Sequence, residues 1–122
     1  MIRLILGIAL VSGLLLSAVP AVAEVGAIAY SPSTDEFSSA SLNIFSLREV
    51  QIKVLENCSA DDCRILMTFG PGECAAVASS DKHFGRGGGM SQAEAESKAT
   101  EDCARGGADP NCKVVGWHCA KE

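Results

Sequence analysis

Aromatic residues are scarce in this sequence: Phe, Tyr and Trp together make up 5% of its 122 residues. A chain of this length forms one small domain at most, which excludes a Rossmann enzyme, a barrel or a two-domain architecture. With so few large side chains, we expect most of them inside the core and the remainder on a binding face. Among these large side chains are Tyr30, Phe45, Phe69, Phe84 and Trp117.

Basic residues are also few, with 10 Lys and Arg against 15 Asp and Glu, and the formal net charge is −5. The basic residues are scattered along the sequence and form no cluster. Nucleic acids and anionic membrane surfaces are bound mainly through clustered Lys and Arg, so we expect neither as a partner.

The sequence contains no complete motif for catalysis or metal binding. The cysteine spacings contain no C-x2-C pair, and the only histidines are His83 and His118. No spacing joins a Ser nucleophile to either His, and the acidic pairs, such as Asp61-Asp62, lack the calcium-binding loop pattern. We therefore predict no catalytic residue, no metal ligand and no cofactor.

A glycine-rich run, Gly85 to Gly89, precedes a predicted helix. Free N–H groups at a helix start, together with Arg86, could hold an anion there. The run matches neither the dinucleotide-binding fingerprint nor the P-loop, so a flexible loop or a thinned edge strand is the preferred interpretation.

The one long apolar stretch lies at the N-terminus. Residues 1–23 contain one charge, at Arg3, and end with Ala21 and Ala23 at the spacing that signal peptidase requires. The apolar core is shorter than the roughly 20 residues needed to span a bilayer. We therefore expect a signal peptide cleaved before Glu24, a secreted or periplasmic product of residues 24–122, and no stable membrane insertion of that product.

Six cysteines follow the leader, and an even number in a short exported chain is typical of a disulfide framework. They are Cys58, Cys63, Cys74, Cys103, Cys112 and Cys119.

Two halves of the sequence repeat one pattern. Residues 46–58 align with residues 91–103, with Ser, Glu, Lys, Glu and Cys identical at five of thirteen positions, and residues 27–29 align with 76–78. Each half predicts two strands, a helix and a final strand, with the helix starting at Ser46 or Ser91 in an S-x-x-E capping box. Apolar residues at spacings of three and four predict the buried helix faces, Leu47, Val50, Val54 and Cys58 in one half and Ala95, Ala99 and Cys103 in the other.

The repeat favours one disulfide pairing among the fifteen that six cysteines allow. Cys58 and Cys63 align with Cys103 and Cys112, so each half is expected to close its own helix-to-strand connection. Cys74 and Cys119 have no equivalents and are expected to pair with each other.

Residues 26–31 (GAIAYS), the Ser-led Ala/Glu-rich helix ending in Cys, and residues 112–119 (CKVVGWHC) resemble the bacterial DUF4189 family over Glu24 to Ala120. The resemblance implies a secreted or envelope-associated protein that acts by contact, and it supplies no catalytic residues.

The sequence thus predicts a single disulfide-stabilised α+β domain of two β-β-α-β repeats, at about residues 24–70 and 74–120, that share one sheet with both helices packed on one side. We expect a non-enzymatic interaction protein with an unknown protein partner. Ile52 lies away from the buried helix face, and its counterpart is Ser97, so Ile52, Leu55 and Arg86 form the candidate interaction surface and a homodimer is possible. The alternative is a small exported enzyme or enzyme inhibitor that uses the Gly85–Gly89 loop and His83.

Overall fold

A computed structural model describes residues 22–122, so the predicted leader, apart from its last two residues, lies outside the described residues. The order of elements is β-β-α-β, repeated twice. The elements are β1 (Glu24–Ser31), β2 (Glu36–Asn43), α1 (Leu47–Glu56), β3 (Arg64–Phe69), β4 (Cys74–Ser79), β5 (Phe84–Gly89), α2 (Gln92–Ala104) and β6 (Lys113–Cys119).

The strands form two antiparallel sheets of three strands each, in the orders β2-β1-β3 and β5-β4-β6. The prediction of one shared sheet is therefore wrong. The first strand of each half lies at the centre of its own sheet. The register shifts occur between Ile28 and Ala29 and between Val77 and Ala78, positions that the sequence alignment of the two halves makes equivalent.

The two sheets pack face to face and enclose an inner core. Side chains alternate along each strand, so Ile28 and Tyr30 of β1 face Ala75 and Val77 of β4 in one cluster. Burial of an Ile or Val side chain contributes about 1.5–3 kcal/mol. The inner core explains why a single sheet fails: each sheet needs the other to cover its second apolar face.

The helices cover the outer faces, and they lie on opposite sides of the molecule, contrary to the expectation of one side. Val50 and Val54 of α1 contact Ala27 and Ala29 of β1. On the other sheet, α2 packs on the outer face of β4 through the smallest side chains of the chain, Ala95 and Ala99 against Ala76 and Ala78, with Cys103 beside them. The result is a four-layer α-β-β-α arrangement.

The helix starts differ from each other. The Ser91 side chain accepts a hydrogen bond from the Glu94 backbone N–H, as a capping box requires. The Ser46 side chain makes no such bond and donates instead to Asn43 Oδ1, so the first capping box was wrongly predicted. Leu47, expected on the buried face, is 43% exposed.

Three disulfides join Cys58 to Cys63, Cys74 to Cys119 and Cys103 to Cys112, the pairs that the repeat favours. The first and third close the connections from each helix to the following strand. The second joins directly opposed residues of β4 and β6. Within residues 22–122, no helix combines the length and apolar character that crossing a membrane requires.

Candidate functional site

Polar side chains gather at one end of the sandwich, where the β1–β2 turn, the β4–β5 turn and the α2–β6 connection meet. A groove of about 660 Å³ runs between them, lined by Thr34, Asp35, Ser79, Asp81 and Lys113 among others. A smaller depression of about 240 Å³ adjoins His83 and Asp109.

Each hairpin turn is held by an aspartate from the helix-to-strand connection of its own half. Asp62 accepts hydrogen bonds from the hydroxyls of Ser31 and Ser33 and, at 3.0 Å, from the Ser33 backbone N–H. These bonds, first from Ser31 and then from Ser33, lower the pKa of Asp62. The carboxylate therefore secures the turn instead of remaining free for a ligand.

The second half repeats this arrangement with one addition. Asp109, which is 7% exposed, accepts from the Ser80 hydroxyl, and its Oδ2 lies 2.9 Å from His83 Nδ1. Hydrogen bonds from Ser80 and His83 lower the pKa of Asp109 to about 2. Ser80 and His83 thus share one carboxylate, whereas a nucleophile–base pair needs the hydroxyl to bond to the imidazole.

The sequence analysis did not predict that Asp62 and Asp109 hold the turns, although the sequence contains a signal for this role. Ser31 and Ser80 occupy the same place relative to the aligned strands β1 and β4. The backbone N–H of Thr34 bonds to the Ser31 hydroxyl, and that of His83 bonds to the Ser80 hydroxyl in the same way. Both halves therefore hold the turn by a serine that bonds to the backbone and to an aspartate. Only the imidazole of His83 is specific to the second half.

Tyr30 links the two halves at this end. Its hydroxyl donates to Asp35 Oδ1, which also accepts from the Ser79 hydroxyl at 2.6 Å. Burial, together with the hydrogen bond to the Asp35 carboxylate, raises the pKa of Tyr30 to about 12. At neutral pH the phenol is therefore a fixed hydrogen-bond donor.

Gly85 to Gly89 lie in the edge strand β5 (Phe84–Gly89), so the run is the thinned edge strand of the preferred interpretation and not a flexible or anion-binding loop. A Cβ at Gly87 would lie 2.2 Å from the Ala99 backbone nitrogen, and one at Gly85 would lie 2.1 Å from that of Cys103. Glycine is needed because α2 lies directly on β5, where backbone approaches backbone. The N–H groups of this edge strand that face β4 belong to a β-ladder, and the Arg86 N–H bonds to Asp102 Oδ2, so the run forms no anion-binding loop.

Arg86 projects from β5, but it does not join His83. Arg86 lines a depression with Arg64, Asp102 and Arg105, whereas His83 lines the depression at Asp109. The convergence of His83, Arg86 and an acid that the enzyme alternative requires does not occur among the described residues.

Ile52 and Leu55 are 47% and 38% exposed on the outer side of α1. Further large apolar side chains are exposed just before this helix and at its start: Phe45 is 89% exposed, and Ile44 and Leu47 are also exposed. We refer to these five residues as the α1 apolar surface.

Glu36, Cys58 and Cys63 are close enough together to resemble a set of metal ligands. Both sulfur atoms belong to a disulfide, which removes the thiolates that a metal would need. Both Glu36 oxygens accept from the backbone and hydroxyl of Ser59, and these bonds lower the pKa of Glu36. The cluster therefore holds the end of α1 in place.

The described fold spans the region that a known family matches. A family described as "Domain of unknown function (DUF4189)" matches residues 25–119, from β1 to the end of β6. The chain belongs to this family. No curated protein and no solved structure matches it. The expected family is thereby confirmed.

Proposed function

We propose that this DUF4189 protein is an exported, non-enzymatic binding domain that acts through the α1 apolar surface, with a second copy of the chain as partner. The observation that carries the proposal is the exposure of this surface, above all the 89% exposure of Phe45 in a chain with only 5% aromatic residues. Exposed apolar side chains that lie close together in the chain favour a protein interaction site, because their burial removes apolar area from water.

The charges on α1 favour a second copy as the occupant. Arg48 and Lys53 are balanced by Glu49 and Glu56, so the helix is neutral within a chain of net charge −5. A two-fold interface must be self-complementary, since the same patch appears on both sides. Mixed charges around an apolar centre meet this requirement, whereas the acidic remainder of the surface would repel its copy.

Export is supported by the three disulfides, which persist in oxidising compartments. We therefore include in the proposal a secreted or periplasmic location and the cleavage of the leader. The enzyme or inhibitor alternative is weaker, because the Gly85–Gly89 run that it needs is part of strand β5. The other residue that it needs, His83, bonds to the Asp109 carboxylate that holds the β4–β5 turn.

Ile52→Glu tests the proposal, and Ser97→Glu, at the aligned position of α2, is the matched control. Sedimentation velocity should show concentration-dependent dimers for the wild type and for Ser97→Glu. Ile52→Glu should weaken dimerisation by about tenfold or more, because a buried charge at an interface centre has no partner. Circular dichroism should be the same for all three proteins.

A wild-type protein that stays monomeric at high concentration would rule out the second copy as partner. Equal weakening by both glutamates would show that added negative charge, and not the α1 apolar surface, controls association.

A further inference from the structure

Three arginines line one depression of about 410 Å³ at the edge of the sandwich that is formed by β3 and β5. Arg64 begins β3, Arg86 lies in β5, and Arg105 follows the last turn of α2. β3 and β5 are edge strands of different sheets, and an Arg86 guanidinium N–H donates to the Leu66 carbonyl across the gap between them. The fold therefore assembles three of the four arginines of residues 24–122 from distant parts of the chain.

These arginines lack the counter-ions that such an acidic chain could supply. The ion pairs of the described residues are His83–Asp109 and Lys98–Glu94, and neither includes an arginine. Asp102 is the one acid lining the depression, and its Oδ2 accepts from the Arg86 backbone N–H at 3.0 Å. The depression therefore carries an excess of two positive charges in a chain of net charge −5.

The guanidinium groups keep donors free for a ligand. The Arg64 guanidinium lies over the Phe84 ring, 5.2 Å from its centroid, and donates no hydrogen bond to the described residues. Arg86 uses one nitrogen for the Leu66 carbonyl and retains its other donors. Planar arginine donors match the oxygens of phosphate and carboxylate in bidentate geometry.

Arg105 occupies a position where glycine would fit the backbone better. Its φ of 49° is in the left-handed region, at the end of α2, where glycine is the usual residue. Gly106 and Gly107 follow it directly with φ of 76° and 92°, so three left-handed residues stand in a row and only the first of them carries a side chain. A ligand-binding role for the side chain accounts for this choice.

We propose that the depression lined by Arg64, Arg86 and Arg105 binds a phosphate monoester. Two excess positive charges match a phosphate monoester, which carries about −1.5 to −2 at pH 7, better than a single carboxylate. The site is separate from the α1 apolar surface, so either proposal can fail without the other.

The test is a titration of the oxidised chain with two phosphate monoesters, N-acetyl-phosphoserine amide and glycerol 3-phosphate, followed by NMR of the arginine Nε–H groups. The resonances of Arg64, Arg86 and Arg105 should shift. At least one phosphate should bind about tenfold or more tightly than N-acetyl-aspartate amide, since the extra charge and oxygens add charge-assisted bonds. The tighter phosphate identifies whether a phosphoprotein or a small metabolite is the source.

Arg64→Gln and Arg105→Gly should each lower the phosphate affinity about tenfold or more, because each removes charge-assisted hydrogen bonds. Arg105→Gly should keep or raise the melting temperature, so that loss of binding cannot be ascribed to unfolding. Arg48→Gln, which removes the remaining arginine of residues 24–122, is the matched control and should change the affinity by less than about twofold.

The proposal is overturned if no arginine resonance shifts at about 10 mM phosphate ester. It is also overturned if the aspartate probe binds equally well, or if Arg48→Gln weakens binding as much as Arg64→Gln does.

Discussion

His118 shows how one residue couples the two sheets. Its Nδ1 lies 3.1 Å from the Ser39 hydroxyl and its Nε2 lies 2.9 Å from the Ser41 hydroxyl, so the ring of β6 bridges to β2. The bridge could not be predicted, because the two hydroxyls lie more than seventy residues away and only the packing of the sheets brings them near.

Burial lowers the pKa of His118, while the Glu24 carboxylate opposes the change. The unfolded chain therefore binds a proton at higher pH than the folded chain, near the ordinary value of about 6.5. We predict that the free energy of unfolding decreases as the pH falls from about 7 towards 5, and that His118→Asn removes most of this loss. Urea denaturation at several pH values measures both, and identical pH profiles for the two proteins would contradict the assignment.

At the scale of elements, the order of strands and helices in each half follows from the sequence, because strands and helices have distinct apolar periodicities. β5 could not be assigned in the same way. Its sequence is FGRGGG, and a segment with few side chains shows no alternation. Its pairing with β4 makes it a strand, and its glycines permit the close packing of α2, so both depend on other elements.

The contact between α2 and β5 gives a prediction of its own. Gly87→Ala should destabilise the fold by about 3 kcal/mol or prevent folding, since its Cβ would meet helix backbone that cannot move aside locally. Gly70→Ala is the control, because its nearest non-neighbouring atom would be 3.7 Å away. The control should change stability by less than about 0.5 kcal/mol. Equal thermal denaturation curves for the two variants would show that α2 does not approach β5 so closely.

At the scale of the whole molecule, the sequence indicated the α+β class and the disulfide pairs but not the division into two sheets. Both faces of β1 and β4 are apolar, which predicts that both faces are covered. The pattern does not specify whether the second face meets another sheet or another helix. The inner core answers this, because Ile28 and Tyr30 of one sheet meet Val77 of the other.

The proposed function and the disulfide-stabilised fold both require export followed by complete oxidation of the six cysteines. Intact mass spectrometry of protein recovered from outside the cytoplasm, without reduction, tests both at once. We predict a chain that begins at Glu24 and is lighter by six hydrogen atoms than its fully reduced form, because three disulfides have formed. A chain of full length, or one that retains all of its thiol hydrogens, would contradict the account.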